Sequence, residues 1–380
     1  MRKMKAGWIC NSAIGTTETF LVDNLQLLKT FCDVQAHCGM PMPSNGLSNV
    51  HYGEFDNIPW SFTRVLLRRA FKKDFRVMKK RKRSMNELLQ PLQDFEADLL
   101  WIEYGTTAHN CADVIEELNL PFFIAVHGYD ISREFGDDWY RAEFVRLANK
   151  SSGVICASHH TKNLCTVAGV QPEQCHVVRL PLDPEKWVPE KTARSTHPSF
   201  VHMGRLVEKK GPIQTLLAFK EARKSIPNAT LTFIGDGPLR SSIQSMIHDQ
   251  GIGGVTLLGA LPQDQAKEKV KEHHIFCQHS VTASNGDQEG FALSPAEAAL
   301  LEMPVISTFH NGIPEHVIDG TTGILVREWD IQGMSKAMVE LAANPQLAEE
   351  MGKVGRQNIL TLCDPSARSA ALQSLFQSTL

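Results

Sequence analysis

Short apolar runs alternate with longer amphipathic stretches along almost the whole chain. In the first half, the buried-strand candidates are "DLLWIEY", "FFIAVHG" and "GVICAS". In the second half, "FVHMG", "ATLTFIGDGP", "VTLLGAL", "HIFCQHS", "MPVIST" and "GILV" repeat the pattern. Runs of this length and composition are typical of strands, and the stretches between them are long enough for helices. The alternation predicts parallel sheets covered by helices on both faces.

About a dozen predicted strands are too many for one ordinary open sheet, so the α/β pattern predicts two doubly wound, Rossmann-like domains. The polar segment Pro189–Ser199 is bounded by prolines and has no apolar periodicity, which is typical of a domain boundary. We therefore predict domains at residues 1–190 and 191–362.

Composition excludes several classes of protein. The 380 residues are 42% hydrophobic and 21% charged, as in globular domains, and no apolar run reaches the length of a membrane-spanning helix. The apolar stretch near the start is too short for a secretory signal, so we expect a cytoplasmic protein. The nine cysteines are odd in number and contain no Cys-x-x-Cys pair, which predicts reduced, mostly buried thiols and no zinc site.

The net charge of −3 hides a strongly basic block. Residues 64–83 carry eleven Lys/Arg and one acid, a local charge of +10 on an otherwise acidic chain. On a helical wheel, one stripe is apolar: Leu67, Phe71, Phe75 and Met78. The opposite side is cationic: Arg69, Lys72, Lys73, Arg76, Lys79 and Lys80. Such a helix can bind an anionic membrane surface or acceptor. Alternatively, its apolar stripe packs on its own domain and its cations are only solvated. No stacking or base-reading motif accompanies the block, so we do not expect a nucleic-acid partner.

The stretch "EGFALSPAEAALLEMPVIST" can be explained in two ways. Ser294, Pro295 and Glu297 have the spacing of a capping box with proline at the first helical position, which predicts a well-capped helix and nothing more. Alternatively, the loop before the helix and the two glutamates, Glu289 and Glu297, bind a ligand at the helix N-terminus.

A second stretch, "HMGRLVEKKG", follows a predicted strand and precedes a helix. Arg205 offers a planar fork to phosphate oxygens, Lys210 adds a point charge, and Gly204 and Gly211 let the backbone approach a ligand closely. Alternatively, the stretch is an ordinary surface turn with exposed cations.

Taken in order, these segments resemble the retaining glycosyltransferases of family 4, which have the GT-B fold. The matching chain runs from about Gly153 to Asp330 and includes the family's Glu-x7-Glu signature at Glu289 and Glu297. Within the family, "HSVTASNGDQEG" is most similar to the exopolysaccharide enzymes of colanic-acid and amylovoran type. The resemblance implies two Rossmann-like domains facing across a cleft, with a C-terminal helix at residues 363–380 that packs back on the first domain.

The resemblance also implies roles for individual residues. Glu297 would bind the ribose hydroxyls of a nucleoside diphosphate sugar, and Glu289 would contact the donor sugar at the catalytic site. Arg205 and Lys210 would bind the diphosphate. Four backbone amides would line the sugar and phosphate: Gly290, Phe291, Ala292 and Leu293.

The resemblance is weaker in the N-terminal half. In "IGTTETF", Gly15 would let a loop turn near the sugar, although the stretch also fits a plain threonine N-cap. In "AVHGYDIS", His127 would lie beside the donor sugar as a second catalytic-site residue, although a histidine at a strand end is often structural. Where relatives carry a His-rich segment, this chain has Glu103 and Tyr104, so its acceptor is expected to differ.

The expected function is transfer of a hexose from a nucleoside diphosphate sugar, with UDP favoured, to a glycan or lipid-linked acceptor at the cytosolic face of the membrane. By resemblance, the anomeric configuration is retained. No Asp-x-Asp occurs in the sequence, so we expect neither a metal nor another cofactor. The alternatives are a nucleotide-sugar epimerase or hydrolase on the same fold and a non-catalytic, membrane-binding subunit.

Overall fold

The computed structural model describes residues 2–11, 19–39, 50–52, 86–190 and 197–380. The chain divides into two compact units: unit 1 is Met1–Pro181 with Pro365–Leu380, and unit 2 is Leu182–Asp364. Gly15, predicted to lie near the sugar, is outside the described residues. So are the cations of the predicted basic helix: Arg69, Lys72, Lys73, Arg76, Lys79 and Lys80.

In the described part of unit 1, seven strands form a parallel sheet. They are β1 (Met4–Cys10), β2 (Cys32–Cys38), β3 (Val50–Tyr52), β4 (Leu99–Glu103), β5 (Phe122–Val126), β6 (Gly153–Cys156) and β7 (Cys175–Val177). Their spatial order is β3-β2-β1-β4-β5-β6-β7, so the strand order reverses between β1 and β4. Ligands of doubly wound sheets bind beyond the carboxyl ends of the strands at such a reversal.

Helices connect these strands and cover both faces of the sheet. They are α1 (Thr19–Phe31), α2 (residues 86–95), α3 (Gly105–Asn110), α4 (Ala112–Leu118), α5 (Asp138–Ala148) and α6 (His159–Ala168). Side chains of β4 alternate between two apolar clusters: Leu100 and Ile102 pack with residues of α2 to α6, and Leu99 and Trp101 pack on the other face with α1. Because both faces are buried, the central strands β4, β5 and β6 are largely apolar, as the sequence pattern indicated.

In unit 2, six strands form a second parallel sheet among the described residues. They are β8 (Ser199–Met203), β9 (Thr230–Ile234), β10 (Val255–Gly259), β11 (Ile275–Cys277), β12 (Val305–Thr308) and β13 (Gly323–Val326). The spatial order is β10-β9-β8-β11-β12-β13, with the reversal between β8 and β11. The helices are α7 (Pro212–Ala222), α8 (Arg240–Asp249), α9 (Gln263–Lys271), α10 (Leu293–Leu300), α11 (Ile331–Ala343) and α12 (Pro345–Leu362). The two sheets confirm the predicted α/β class with two doubly wound units.

The last helix, α13 (Pro365–Gln377), belongs to unit 1. Phe376 is fully buried, and its ring lies 4.8 Å from that of Phe123 and 5.9 Å from that of Trp101. Arg368 of the same helix donates hydrogen bonds to the carbonyl oxygens of Val178 and Arg179 at 2.6 Å and 2.7 Å. The helix therefore completes the core of unit 1 after the chain has left unit 2.

The division between the units falls at Pro181/Leu182, before the predicted boundary at residue 190. The amide of Leu182 donates to the carbonyl oxygen of Cys363, and Arg356 donates to the carbonyl oxygen of Trp187 at 2.9 Å. These bonds tie residues 182–187 to α12 and its end, so this segment belongs to unit 2.

Among the residues that the structure describes, no helix combines the length and apolar composition needed to cross a bilayer. The same residues contain no group of three or more His, Cys, Asp or Glu side chains arranged to hold a metal ion. All nine cysteines lie in the described ranges, where each is buried and none is joined in a disulfide.

Candidate active site

The loops that follow β8 and β11 meet at the carboxyl edge of the unit 2 sheet. These strands are neighbours at the point where the strand order reverses. We call residues 204–211 the β8 loop and residues 278–292 the β11 loop. Their position is that of the ligand-binding loops of doubly wound sheets.

Gly211 ends the β8 loop and brings it into backbone contact with the β11 loop. Its φ of +59° is left-handed, and a Cβ atom on it would lie 1.7 Å from the carbonyl oxygen of His279. Only glycine avoids this clash. Pro212 then begins α7, as is common at the first position of a helix. Gly211 is thus required for the packing of one loop on the other, a role that the sequence did not indicate.

Lys210 and Glu289 form an ion pair that joins the two loops. Nζ of Lys210 lies 2.9 Å from Oε1 of Glu289, and the side chains are 12% and 8% exposed. The aliphatic part of Lys210 passes close to Gly204, where a Cβ atom would lie 3.6 Å from Cδ and Cε of the lysine. Lys210 and Glu289 were predicted from two separate motifs, and the structure places them in direct contact.

The neighbouring Lys209, which sequence analysis did not single out, fixes the shape of the β11 loop. Its Nζ donates to Oδ1 of Asp287 at 2.9 Å and to the carbonyl oxygen of Gln288 at 3.3 Å. Its own carbonyl oxygen accepts from the amide of Val281 at 3.0 Å. Lys209 is buried, so its charge is used within the protein. The only signal in the sequence was its adjacency to Lys210.

His310, just after β12, fixes the backbone of Glu289. Its Nδ1 lies 2.6 Å from Oε1 of Glu328, and its Nε2 lies 3.2 Å from the amide nitrogen of Glu289. Because a backbone N–H only donates, Nε2 is the acceptor and Nδ1 carries the proton that Glu328 accepts. Asn311 also donates to the carbonyl oxygen of Glu289 at 3.3 Å. The position of Glu289 therefore depends on residues that follow two other strands, β12 and β13.

The surrounding cations keep Glu289 ionised. Burial alone raises the pKa of its carboxyl group, but Lys210 and Lys209 lower that pKa by more, from 4.5 to about 2. Burial, reinforced by the charge of Lys210, lowers the pKa of His202 in β8 to about 3, so this histidine is neutral. At neutral pH the site contains a fixed carboxylate held between fixed cations.

Helix α10 begins earlier than predicted. Its N-cap is Ala292, no side chain caps it, and the helix starts at Leu293. The predicted capping box of Ser294 and Glu297 is therefore wrong, because both residues lie inside the helix. Glu297 is 9% exposed.

The turn before α10 is held by a contact distant in sequence. Nε2 of His316 lies 2.8 Å from the carbonyl oxygen of Phe291, which accepts its proton, and the two rings are 4.6 Å apart. This contact fixes the chain before the helix, so a local cap is not needed.

Ala292 adopts a left-handed conformation, φ 63° and ψ 86°, which costs about 1–3 kcal/mol and persists only where the surroundings enforce it. In the described part of the chain, no hydrogen bond is found from the amides of Phe291 and Ala292. Such amides at a helix N-terminus attract anions.

The remaining predicted residues of unit 2 lie in the β8 loop, directly after Glu289 in the chain, or in the first turns of α10. Residues 290–293 connect Glu289 directly to α10. Arg205, in the β8 loop, is exposed and forms no ion pair with the residues that the structure describes. The structure thus brings Lys210 and Glu289 together, whereas Arg205 forms no ion pair with Glu289 or Glu297.

His127 belongs to unit 1, where it follows β5 and contacts a buried glutamate. Its Nε2 lies 2.7 Å from Oε2 of Glu103, the last residue of the neighbouring strand β4. Asp130 fixes the backbone here: its Oδ1 accepts from the amides of His127 and Gly128, and its Oδ2 accepts from that of Gly105 at 2.9 Å. From the sequence, Glu103 is evident only as a departure from relatives, because the pairing of β4 with β5 cannot be seen along the chain.

Comparison with known proteins finds similarity to glycosyltransferases. Residues 183–358 match the family model described as glycosyl transferases group 1. The chain is 28% identical over 253 residues to the amylovoran biosynthesis glycosyltransferase AmsK of Erwinia amylovora. This match covers 65% of this chain and 62% of AmsK. It is also 28% identical over 252 residues to the GDP-mannose-dependent α-(1-6)-phosphatidylinositol monomannoside mannosyltransferase of Mycolicibacterium smegmatis. This match covers 62% of this chain and 64% of that enzyme. The matched region is therefore less than two thirds of the length of either relative.

The solved structures show which fold the chain shares. Alr3699/HepE of Anabaena, crystallised with UDP and glucose, superimposes with a TM-score of 0.81 at 18% identity and covers 99% of this chain and 100% of its own. At this identity the likeness establishes a shared fold. The chain therefore has the GT-B fold, and residues 183–358 match group 1 of the glycosyl transferases, in agreement with the resemblance stated from the sequence.

We predict that Lys210→Met destabilises unit 2 by about 3–5 kcal/mol at pH 7, because it leaves Glu289 buried without its closest cation. The folded-state pKa of Glu289, about 2, lies below its usual 4.5, so the ionised carboxylate stabilises the native protein above pH 4.5. That contribution is lost as the pH falls from 4.5 towards 2, and the difference between wild type and variant should shrink over the same range. Urea unfolding followed by hydrogen exchange of unit 2 peptides measures the effect.

Lys224→Met is the matched control, because Lys224 is 68% exposed and its ion pair with Glu221 lies at the surface. This change should cost less than about 1 kcal/mol. An equal loss of stability in both variants would contradict the account of Lys210.

Proposed function

We propose that this protein transfers a hexose from a nucleoside diphosphate sugar to a glycan or lipid-linked acceptor, with retention at the anomeric carbon. The observation that carries the proposal is the buried contact between Lys210 and Glu289, directly before the N-terminus of α10. It combines a cation, a carboxylate and backbone amides without partners within the region that matches the family model. Phosphate and sugar hydroxyls are the groups that such a combination binds.

Each part of the donor then has a chemically matched partner. The diphosphate is assigned to Lys210, to Arg205 and to the amides of residues 290–293. Glu297 accepts hydrogen bonds from the ribose hydroxyls, and Glu289 accepts them from hydroxyls of the donor sugar. The left-handed turn at Ala292 supports this assignment, because enforced strain of this kind is common at ligand sites.

Departure of the nucleoside diphosphate is the chemical step that the site must assist. Charge grows on the diphosphate as the bond to the sugar breaks, and cations and amides fixed in advance stabilise that charge without reorganising. Arg205, Lys210 and the α10 N-terminus supply them. We therefore propose that transfer proceeds without a metal ion, which predicts full activity in the presence of EDTA.

UDP is the favoured nucleotide, although the relatives differ in this respect. Alr3699/HepE was crystallised with UDP and glucose, whereas the mycobacterial relative is named for dependence on GDP-mannose. AmsK is named for synthesis of a polysaccharide and the mycobacterial enzyme for a mannosylated phospholipid, which supports a glycan or lipid-linked acceptor.

A panel of UDP, GDP and ADP sugars tests the proposal directly. One class of donor should raise the unfolding temperature, because a ligand that binds only the folded state stabilises it. The same donor should also transfer its labelled sugar to a product in membrane extract that contains EDTA. The anomeric configuration of that sugar should be retained. Release of free sugar or conversion to an epimer without acceptor would favour a hydrolase or epimerase instead, and no shift with any donor would contradict the proposal.

We predict that Arg205→Met raises KM for the donor and lowers kcat/KM by about 10- to 100-fold, because a charge-assisted hydrogen bond to phosphate is lost. Arg205 is exposed, so the fold should be unaffected. Arg141→Met on α5 is the control, since Arg141 is 41% exposed and pairs with Asp138. Unchanged kinetics in Arg205→Met would contradict the assignment of the diphosphate.

We also propose that the basic block at residues 64–83 attracts the chain to anionic membrane on the cytosolic side. The six cations of the proposed membrane-binding set are Arg69, Lys72, Lys73, Arg76, Lys79 and Lys80. Basic residues near an anionic surface each contribute about 1 kcal/mol.

Replacing all six by glutamine should therefore weaken binding to liposomes containing anionic lipid by at least about 100-fold in a sedimentation assay. A control of equal charge loss replaces cations of unit 2: Lys220, Lys224, Lys267, Lys269, Lys336 and Lys353. If the two sets reduce binding equally, the block has no specific role, and if neither does, the membrane proposal is wrong.

A further inference from the structure

We propose that Glu103 is a positioning residue that fixes one tautomer of His127, with the proton on Nε2, so that Nδ1 accepts a hydrogen bond from a hydroxyl of the sugar substrate. This inference rests on the proposed function, because it takes the substrate at His127 to be a sugar. It concerns unit 1 alone and can be examined there without turnover.

Glu103 is surrounded by hydrogen-bond donors and acts as an acceptor only. It is fully buried at the end of β4, and its Oε2 lies 2.7 Å from Nε2 of His127. Its Oε1 accepts from the indole N–H of Trp101 at 2.8 Å and from that of Trp8 at 3.2 Å, with the side-chain amide of Asn24 at 3.4 Å. Indole and amide N–H groups cannot accept. Three N–H donors on Oε1 favour the ionised carboxylate, which only accepts, so the hydrogen between Oε2 of Glu103 and His127 belongs to Nε2.

The charge on this carboxylate is maintained despite its burial. Burial raises the pKa of Glu103, but the hydrogen bonds from His127 and Trp101 and the charge of Arg368 lower it, so that the pKa lies below its usual 4.5. A buried carboxylate satisfied in this way is a rigid acceptor. The tautomer of a histidine is set by the hydrogen bond that its other nitrogen makes.

The ring of His127 is also held from its sides, which leaves only Nδ1 for a ligand. The ring centroid lies 4.8 Å from that of Phe20 and 4.7 Å from that of Tyr104. Nδ1 is buried and has no hydrogen-bond partner among the residues that the structure describes. A buried polar atom without a partner is costly, so it requires an explanation.

A second unpaired side chain lies at the same edge of the sheet. Asn11 directly follows β1, which pairs with β4 so that Cys10 lies opposite Glu103. Neither its side-chain oxygen nor its side-chain nitrogen has a partner within the described ranges. Two polar groups without partners thus lie beyond strands that flank β4, at the reversal in strand order where such sheets bind ligands. Both can bond to a hydroxyl, which donates and accepts.

The proposal is tested by nitrogen NMR of the histidine rings in the full-length protein, with His127 assigned by its absence from His127→Gln. The wild type should show the Nε2–H form. In Glu103→Gln the amide oxygen must face the indole N–H groups, which only donate, so the amide NH2 faces Nε2. Nε2 then becomes the acceptor, and the signal should change to the Nδ1–H form. A wild type in the Nδ1–H form, or a Glu103→Gln ring that keeps its tautomer, would overturn the assignment.

Kinetic measurements then distinguish a positioning role of Glu103 from a role in folding alone. Glu103→Gln should lower kcat/KM by about 10- to 100-fold, the range of one lost hydrogen bond to a buried group, because Nδ1–H no longer accepts. Glu103→Asp keeps the charge and should recover part of the loss together with the Nε2–H signal. Glu96→Gln, at a carboxylate that is 73% exposed, is the control and should match the wild type in both measurements.

The outcomes distinguish this inference from the proposed function. Wild-type kinetics in a Glu103→Gln variant whose tautomer has changed would overturn the role of Nδ1. A wild type that transfers no sugar but shows the expected NMR change would overturn the proposed function and would still support Glu103 as the residue that fixes His127.

Discussion

The ion pair between Lys210 and Glu289 is the contact on which the unit 2 site depends. It joins the β8 loop to the β11 loop across the reversal in strand order, and both side chains are nearly buried. A carboxylate in this position is stable only while cations remain beside it, since burial alone opposes its charge. The pair therefore fixes the electrostatic character of the site before any ligand binds, and Lys209 and His310 hold the β11 loop that carries Glu289.

Both units use a glutamate to fix a histidine beyond the end of a strand. In unit 2, Glu328 accepts from Nδ1 of His310, which leaves Nε2 to accept from the backbone of Glu289. In unit 1, Glu103 accepts from Nε2 of His127. The two histidines are held in opposite tautomers, and each presents its acceptor atom away from the glutamate. One acceptor is used within the protein, and the other is the atom to which we assign a substrate hydroxyl.

The fold and the main site pair could be predicted from the sequence because their signals are local. Parallel strands are buried on both faces, so each appears as a short apolar run, and Lys210 and Glu289 lie in recognisable motifs. What failed depended on contacts between distant residues. The capping box at Ser294 does not form, because His316 holds the turn before α10 from elsewhere in the chain. The contact of Glu103 with His127 follows from the pairing of β4 with β5, which no local pattern specifies.

The most direct measurement of the central claim is a crystal structure of the full chain with a bound nucleoside diphosphate, chosen by its thermal shift. The account predicts the diphosphate against Nζ of Lys210 and the guanidinium of Arg205, with the ribose hydroxyls within hydrogen-bond distance of Glu297. A nucleotide bound elsewhere on the chain, with none of these three side chains in contact with it, would contradict the account.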